Sequence, residues 1–383
     1  MTQSSGLNVD RAVVDRYSGA AKAQEAALCC PVEYNAEYLK VIPQEVIDRD
    51  YGCGDPSAYV KAGETVLDLG SGGGKICFIA SQVVGEAGRV IGVDMNDDML
   101  ELARSTAPQV AEKIGYQNID FKKGKIQDLK LDRGQVESYL KENPIKDGAG
   151  LAELEAFMED QRQKNPMIKN DSIDVVVSNC VLNLVATEEK GKLFSEIFRV
   201  LKRGGRAVIS DIVSDEYVPQ AMQDDPTLWS GCISGAFQEA EFLKAFEAAG
   251  FYGVEILKRD EQPWQTVEGI EFRSMTVVAY KGKEGDCWDH HEALVYKGPF
   301  SSVRDDDGHE FVRGERVAVC RKTFEIFSKA PYKDYFEAIK PLNEVPASDA
   351  KPFPCTGGVL KRDPKETKGQ DYKANIEASA GCC

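Results

Sequence analysis

The chain has 383 residues, of which 42% are hydrophobic and 29% charged, a formal net charge of −16 and 11 cysteines. That is the composition of a globular protein long enough for two compact units. The negative charge, broken by no basic stripe, argues against nucleic acid as a partner, and no apolar stretch reaches the ~20 residues needed to cross a bilayer.

The first 30 residues lack a basic start followed by an apolar core, so no signal peptide is expected. A cytoplasmic location with mostly reduced thiols follows. Residues 1–60 read as an N-terminal helical arm. One helical pattern runs through Val13, Val14 and Tyr17, another from Tyr38 to Ile47, and Cys29-Cys30-Pro31 breaks them. This arm also carries Cys53, within Tyr51-Gly52-Cys53-Gly54.

From Thr65 the pattern alternates between strand and helix. Thr65 to Leu69 reads as a buried strand, Ile76 to Val84 as a helix, Arg89 to Asp94 as a second strand, and a helix begins near Asp97. Ile119 to Phe121, Ile173 to Val177 and Arg206 to Ser210 are further strands, the last preceded by a helix from Lys190 to Leu201. Such alternation implies a parallel sheet with helices on both faces. Residues 61–215 form this core, interrupted at about 131–170 by a charged helical insertion. Residues 216–282 add a helix from Glu239 to Ala249, stopped by Gly250, and the strands Val254 to Leu257 and Ser274 to Tyr280. Residues 283–383 form a smaller α+β region with a turn at Asp305-Asp306-Asp307-Gly308 and a short helix near Thr323 to Phe327. From Pro341 a proline-, lysine- and glycine-rich tail is expected to lie extended or partly disordered.

The loop after the first strand, Asp68-Leu69-Gly70-Ser71-Gly72-Gly73-Gly74, lies directly before a helix, and Asp94 ends the next strand. Glycines let the backbone approach a ligand, and an acid at that strand end suits ribose hydroxyls. A bare glycine-rich turn is the bland alternative, but strand, glycines, helix and acid agree on a nucleotide. An acid just before the first glycine, here Asp68, suits the cationic amino and sulfonium region of S-adenosylmethionine. The loop resembles the first motif of class I S-adenosylmethionine-dependent methyltransferases, a Rossmann-like fold. By that resemblance Gly70, Gly72 and Gly74 border the cofactor, as do Met95, Ile126 and Asn179; Met95 and Ile126 serve equally as ordinary packing residues.

Cysteine most often fills space as a small buried hydrophobe. Cys77 fits that role on an apolar helix face. Cys53 and Cys232, flanked by glycine, suit it poorly, and Cys180 ends the fourth strand, where ligands bind in such sheets. The segments Asp50-Tyr51-Gly52-Cys53-Gly54, Leu67 to Gly74, Val93-Asp94-Met95, Ser178-Asn179-Cys180 and Trp229-Ser230-Gly231-Cys232 together resemble the arsenite S-adenosylmethionine methyltransferases over residues 10–282. The resemblance implies that Cys53, Cys180 and Cys232 hold trivalent arsenic, and that Cys29 or Cys30 takes part in a protein disulfide. It further implies arsenite or its thiol conjugates and methylated trivalent arsenicals as substrates, and thioredoxin or glutathione as reductant.

Three soft thiolates match pyramidal, thiophilic arsenic and leave its lone pair free to attack a methyl group. Competing readings are a zinc ion on three cysteines, a methyltransferase acting on a small organic molecule with structural cysteines, and a noncatalytic metalloid-binding protein. In the C-terminal region, Cys287-Trp288-Asp289-His290-His291, Cys320 and Cys355 match no zinc-finger spacing and are expected to be structural or solvent-exposed. Cys382-Cys383 are expected to bind arsenite loosely or to exchange with small thiols.

Overall fold

The computed structural model describes residues 9–23, 25, 32–355 and 358–368. They fall into two compact units, Met1–Lys281 and Gly282–Cys383. Cys29, Cys30, Cys382 and Cys383 lie outside the described residues.

In the first unit three helices come before the sheet: α1 (Val9–Ala20), α2 (Ala36–Leu39) and α3 (Gln44–Asp48). The sequence predicts one helix across the last two; Pro43 divides them by serving as the N-cap of α3, because a proline ring clashes with the turn before it. The core then runs β1 (Thr65–Leu69), α4 (Lys75–Val84), β2 (Arg89–Asp94), α5 (Asp97–Ile114), β3 (Ile119–Lys123), α6 (Arg133–Glu142), α7 (Gly148–Lys164), β4 (Ile173–Asn179), α8 (Lys190–Val200) and β5 (Leu201–Ser214). It closes with α9 (Gln220–Gln223), α10 (Pro226–Ser230), β6 (Phe237–Gln238), α11 (Glu239–Ala248), β7 (Tyr252–Arg259), β8 (Gln265–Val267) and β9 (Ile270–Tyr280).

The strands form one sheet in the order β3-β2-β1-β4-β5-β9-β7, with β6 paired to β5 and β8 to β9. Strands β1 to β5 are mutually parallel where they pair, whereas β9 runs antiparallel to both β5 and β7. Alternation along each strand fills two cores. Leu67, Leu69 and Val176 pack with Phe194 of α8 and Phe246 of α11, while Val66, Val175 and Val177 pack with Phe78 of α4 and Leu100 of α5. The parallel core with helices on both faces is what the strand and helix alternation implies, and the sheet is the Rossmann-like one implied by the resemblance to class I methyltransferases. Two features differ in extent from the sequence reading. Strand β5 is 14 residues long; its register with β4 jumps from Leu201 to Arg206, so Lys202 to Gly205 bulge out of that ladder, with Gly204 donating to the Lys281 carbonyl at 2.7 Å and Gly205 accepting the Lys281 N–H at 3.0 Å. The insertion is a helix pair, α6 and α7, joined by a stack of Tyr139 on Phe157 with ring centroids 4.2 Å apart.

The second unit is built from small sheets. Its β11 (Ala293–Tyr296) lies between β14 (Arg316–Ala318) and β15 (Phe336–Ile339); β12 (Ser302–Arg304) and β13 (Glu310–Val312) form a hairpin; and β10 (Trp288–Asp289) pairs with β16 (Lys351–Pro352). Helix α12 (Arg321–Phe327) contributes Phe327 to an aromatic core with Phe311 and Phe336, whose ring centroids lie 4.8–5.2 Å apart. The chain past Pro341 is paired through β16 and coils again at α13 (Pro364–Lys368), which is more order than its composition predicts.

Candidate functional site

A cavity opens at the carboxyl ends of β1, β2 and β4. Its floor is the loop after β1. Gly70 has φ +70°, and Gly72, at φ +50°, donates its backbone N–H to Asp94 Oδ2 at 2.9 Å. Both backbone conformations are left-handed, where side chains are disfavoured, and a Cβ on Gly70 would strike Val181. Asp68, Asp94, Met95, Ile126, Asn179 and Cys180 all line the cavity, with Gly70, Ser71, Gly72 and Gly73. Gly74 does not. It is the N-cap of α4 at φ +91°, and a Cβ there would sit 2.8 Å from the Phe121 ring; its glycine serves packing rather than the cavity.

The cavity's electrostatics are set by buried acids. Burial pushes the Asp68 carboxyl up to about 7, opposed by the hydrogen bond it accepts from the Cys77 thiol at 3.2 Å and reinforced by Asp50 and Asp94. Burial also raises Asp94, against backbone N–H donation from Asn96 and Gly72. Cys77, predicted to be a structural core residue, is fully buried and also a polar partner of Asp68. Ser71 Oγ, buried in the cavity wall, has no hydrogen-bond partner among the described residues. An orphaned hydroxyl, two carboxylates and backbone N–H groups beside apolar Met95 and Ile126 fit a polar, cationic nucleoside ligand. Tyr17 and Val13 of α1 also line the cavity.

Cys180 connects this cavity to a buried cluster containing Cys53 and Cys232. The sulfurs of Cys53 and Cys180 and a carboxylate oxygen of Asp211 lie within 4.8 Å of one another. Cys232 joins through its thiol, which donates to the Cys180 carbonyl at 3.4 Å and meets the Tyr17 hydroxyl at 3.8 Å. The three cysteines are 3–5% exposed. Their glycine neighbours suggest open loops, so this burial corrects the sequence reading of Cys53 and Cys232. Cys180 and Cys232 take φ of +63° and +61°, a left-handed backbone that costs a non-glycine residue roughly 1–3 kcal/mol and concentrates at functional sites.

The Cys53 segment is fixed from both sides. Asn179 Oδ1 accepts the backbone N–H groups of Cys53 at 2.9 Å and Gly54 at 3.0 Å, and Asn179 Nδ2 donates to the Gly54 carbonyl at 2.7 Å. Ser274 of β9 donates to the Cys53 carbonyl at 2.7 Å. A Cβ on Gly52 would collide with the Asn179 amide, and one on Gly54 would sit 2.6 Å from Ser210 Oγ. Sequence reading placed Asn179 at the cofactor; its side chain is occupied by the thiol-bearing loop.

Two charged residues went unnoticed in the sequence. Asp211, fully buried on β5, accepts N–H groups from Leu182 and Ile212 at 2.8 Å each, and burial raises its carboxyl to about 6. Lys190 is buried against the Phe237 ring and donates to the Gly235 carbonyl; burial lowers its ammonium to about 8, and Asp211 and Cys232 oppose that fall. Both residues stand in otherwise ordinary strand and helix patterns, so only their burial distinguishes them. The thiols respond to this setting. The bond from Cys232 pulls the Cys180 thiol down, but Cys53, burial and Asp211 outweigh it and raise Cys180 well above its ordinary value. Cys232 is raised by its bond to Cys180, by burial and by Asp211, and lowered slightly by Tyr17. The free protein therefore holds these two as neutral thiols.

Residues 60–159 and 149–250 match the family described as a methyltransferase domain, and residues 283–372 match a domain of unknown function. The arsenite methyltransferase of Aquipseudomonas alcaligenes is 28% identical over 377 residues, covering 94% of each chain. That of Mus musculus is 28% identical, covering 91% of this chain and 87% of the mouse protein. The crystal structure of an arsenic(III) S-adenosylmethionine methyltransferase from Chlamydomonas reinhardtii superposes with a TM-score of 0.55 at 28% identity, covering 84% of this chain and 99% of that one. With a class I sheet, a cavity at its carboxyl edge and this similarity along nearly its whole length, the chain belongs to the arsenite S-adenosylmethionine methyltransferase family.

Proposed function

We propose that the protein transfers a methyl group from S-adenosylmethionine to trivalent arsenic held by Cys53, Cys180 and Cys232. The observation that carries this is Cys180, which lies in both the thiol cluster and the wall of the cavity. Asp68 accepts hydrogen bonds from the cofactor's cationic end, Asp94 from its ribose, and Met95 and Ile126 cover the base. When bound, S-adenosylmethionine supplies an electrophilic methyl group on a sulfonium.

The neutral thiols suit arsenite, which is neutral As(OH)₃ near pH 7. Each S–H proton leaves with an arsenic hydroxyl as water, so three As–S bonds replace three As–O bonds without an external base. Burial excludes water, and the Asn179 clamp keeps Cys53 in place. The arsenic lone pair forms the new As–C bond while the methyl–sulfur bond breaks, so no general base is needed at the nucleophile. Arsenic loses two electrons in this step, and protein thiols that couple as a disulfide return them. Cys29 or Cys30 is the proposed further partner in that disulfide, and thioredoxin or glutathione reduces it, consistent with a cytoplasmic enzyme. Methylated trivalent arsenicals follow as products and further substrates.

The test is purified protein with S-adenosylmethionine, with and without arsenite, followed by arsenic speciation. Arsenite-dependent S-adenosylhomocysteine and methylarsenical are expected; cofactor turnover that ignores arsenite removes the proposal. Cys180→Ser is expected to abolish turnover and leave cofactor affinity within about twofold, a difference under ~0.5 kcal/mol. Normal turnover in that variant rejects the thiol site.

A further inference from the structure

In the unit Gly282–Cys383, three cysteines far apart in sequence meet. Strand β10 pairs with β16, Trp288 opposite Pro352 and Asp289 opposite Lys351, and Phe353 donates its backbone N–H to the Cys287 carbonyl at 2.8 Å. This ladder sets Cys287 beside the segment that runs on to Cys355. Cys320 arrives from elsewhere in the fold as the N-cap of α12, its sulfur accepting the Thr323 N–H at 3.4 Å. Lys322 then donates to the Gly285 carbonyl at 2.8 Å, tying the start of α12 to the chain just before Cys287. The three sulfurs lie within 4.8 Å of one another. All three are free thiols, with Cys320 buried, Cys287 half-buried and Cys355 exposed. The group therefore has a rigid floor and an open side.

The ligand class follows from the donor count. Among the described residues no carboxylate or imidazole joins the group, and structural zinc is almost always held by four ligands. Three soft sulfurs at a solvent-facing position match a pyramidal, three-coordinate thiophilic centre. We infer that Cys287, Cys320 and Cys355 form a second trivalent-arsenic site, in a different unit from the methylation site and independent of whether that site transfers methyl groups. Loading is a condensation without redox change: three S–H and three As–O bonds break, three As–S bonds form, and three waters leave. Burial raises the Cys287 thiol, but hydrogen bonds from Cys355 and Cys320 and the nearby Lys322 ammonium outweigh it and hold Cys287 below its ordinary value.

The test uses the full-length chain with Cys29, Cys30, Cys53, Cys180, Cys232, Cys382 and Cys383 all changed to serine, reduced with a phosphine and dialysed against arsenite. About one arsenic per chain is expected, as one three-thiol group predicts. Adding Cys320→Ser or Cys355→Ser should weaken retention at least about tenfold. Serine keeps the N-cap bond at 320, so the far-UV circular dichroism should not change. No retained arsenic in the correctly folded background, retention indifferent to both added changes, or retention of zinc but not arsenite would each overturn the inference. A second measurement needs no variant. In the natural chain, arsenite should slow alkylation of Cys287 and Cys355 at least about tenfold, and unchanged labelling rates at both would overturn the site.

Discussion

Asn179 gives both ends of its side-chain amide to one loop, and that makes it more informative than its place in the cavity wall suggests. Removing the amide by Asn179→Ala leaves the N–H groups of Cys53 and Gly54 and the Gly54 carbonyl without their partner. At about 1–3 kcal/mol for each orphaned buried group, the variant should lose at least ~2 kcal/mol in urea unfolding. Its arsenite KM should rise more than its cofactor KM, and an equal rise in both would contradict the clamp. Asp68 makes a separate prediction through pH. Its carboxyl is held up to about 7 by burial, against an ordinary 3.8. The stability this lends is complete below pH 3.8 and is lost as pH rises through about 7. Binding a cation favours the ionised form, so cofactor affinity should fall about tenfold per pH unit below ~7 and level off above it. Asp68→Asn should bind weakly with no such slope. Calorimetric titration between pH 5.5 and 8.5 reads both effects. At this scale the sequence shows which residues carry chemistry, since a cysteine at a strand end and an acid before a glycine loop are visible by position. It does not show that Cys53 and Cys232 are buried, or that Asp211 and Lys190 are, because burial comes from distant neighbours such as Ser274 on β9 and Phe237 on β6.

Helix α1 joins parts of the molecule that the sheet alone would leave separate. Arg16 Nη1 donates to the Thr227 carbonyl at 2.9 Å and Ser230 Oγ at 3.2 Å on α10, the helix before Cys232, while Nη2 pairs with Glu25 at 2.6 Å. On the same helix Ser18 accepts from Asn96 at the start of α5 at 3.0 Å, and Tyr17 meets the Cys232 thiol. Arg16→Ala removes charge-assisted bonds worth ~1.5–3 kcal/mol. It should raise both the cofactor and arsenite KM by about tenfold while sparing kcat at saturation, as expected for lost positioning. A fall in kcat with both KM values unchanged would contradict that role. The helical pattern through Val13, Val14 and Tyr17 makes α1 legible in the sequence, whereas its partners Thr227, Ser230 and Cys232 are over 200 residues away and are not. The sequence starts the strand at Arg206, whereas β5 begins at Leu201, because the bulge at Lys202 to Gly205 breaks the apolar pattern between them.

The whole chain holds its chemistry in a sheet unit and a small-sheet unit of different construction. Among the described residues the cavity is lined by those of Met1–Lys281, so cofactor should stabilise that unit by mass action, about 2.7 kcal/mol at a hundredfold excess over Kd. Differential scanning calorimetry should show the gain in the wild type and in Cys180→Ser alike; its absence in both would reject the cavity as the cofactor site. Fold class was legible here because strand and helix alternation is a global pattern. In the second unit the turn at Asp305 to Gly308 marks the β12–β13 hairpin, but the other short strands and the meeting of Cys287, Cys320 and Cys355 are not legible, since two-residue pairings such as β10 with β16 leave no periodicity to read. The lock between Gly52, Gly54 and Asn179 has a consequence for variation. Neither glycine can acquire a side chain while the amide and Ser210 stay where they are, and the amide is further held by its donation to the Tyr34 hydroxyl at 3.2 Å. The three positions behave as one inherited unit, to be kept together or exchanged together. A library that randomises them one at a time should return only the parental residues, whereas joint randomisation is the route to a differently shaped cradle.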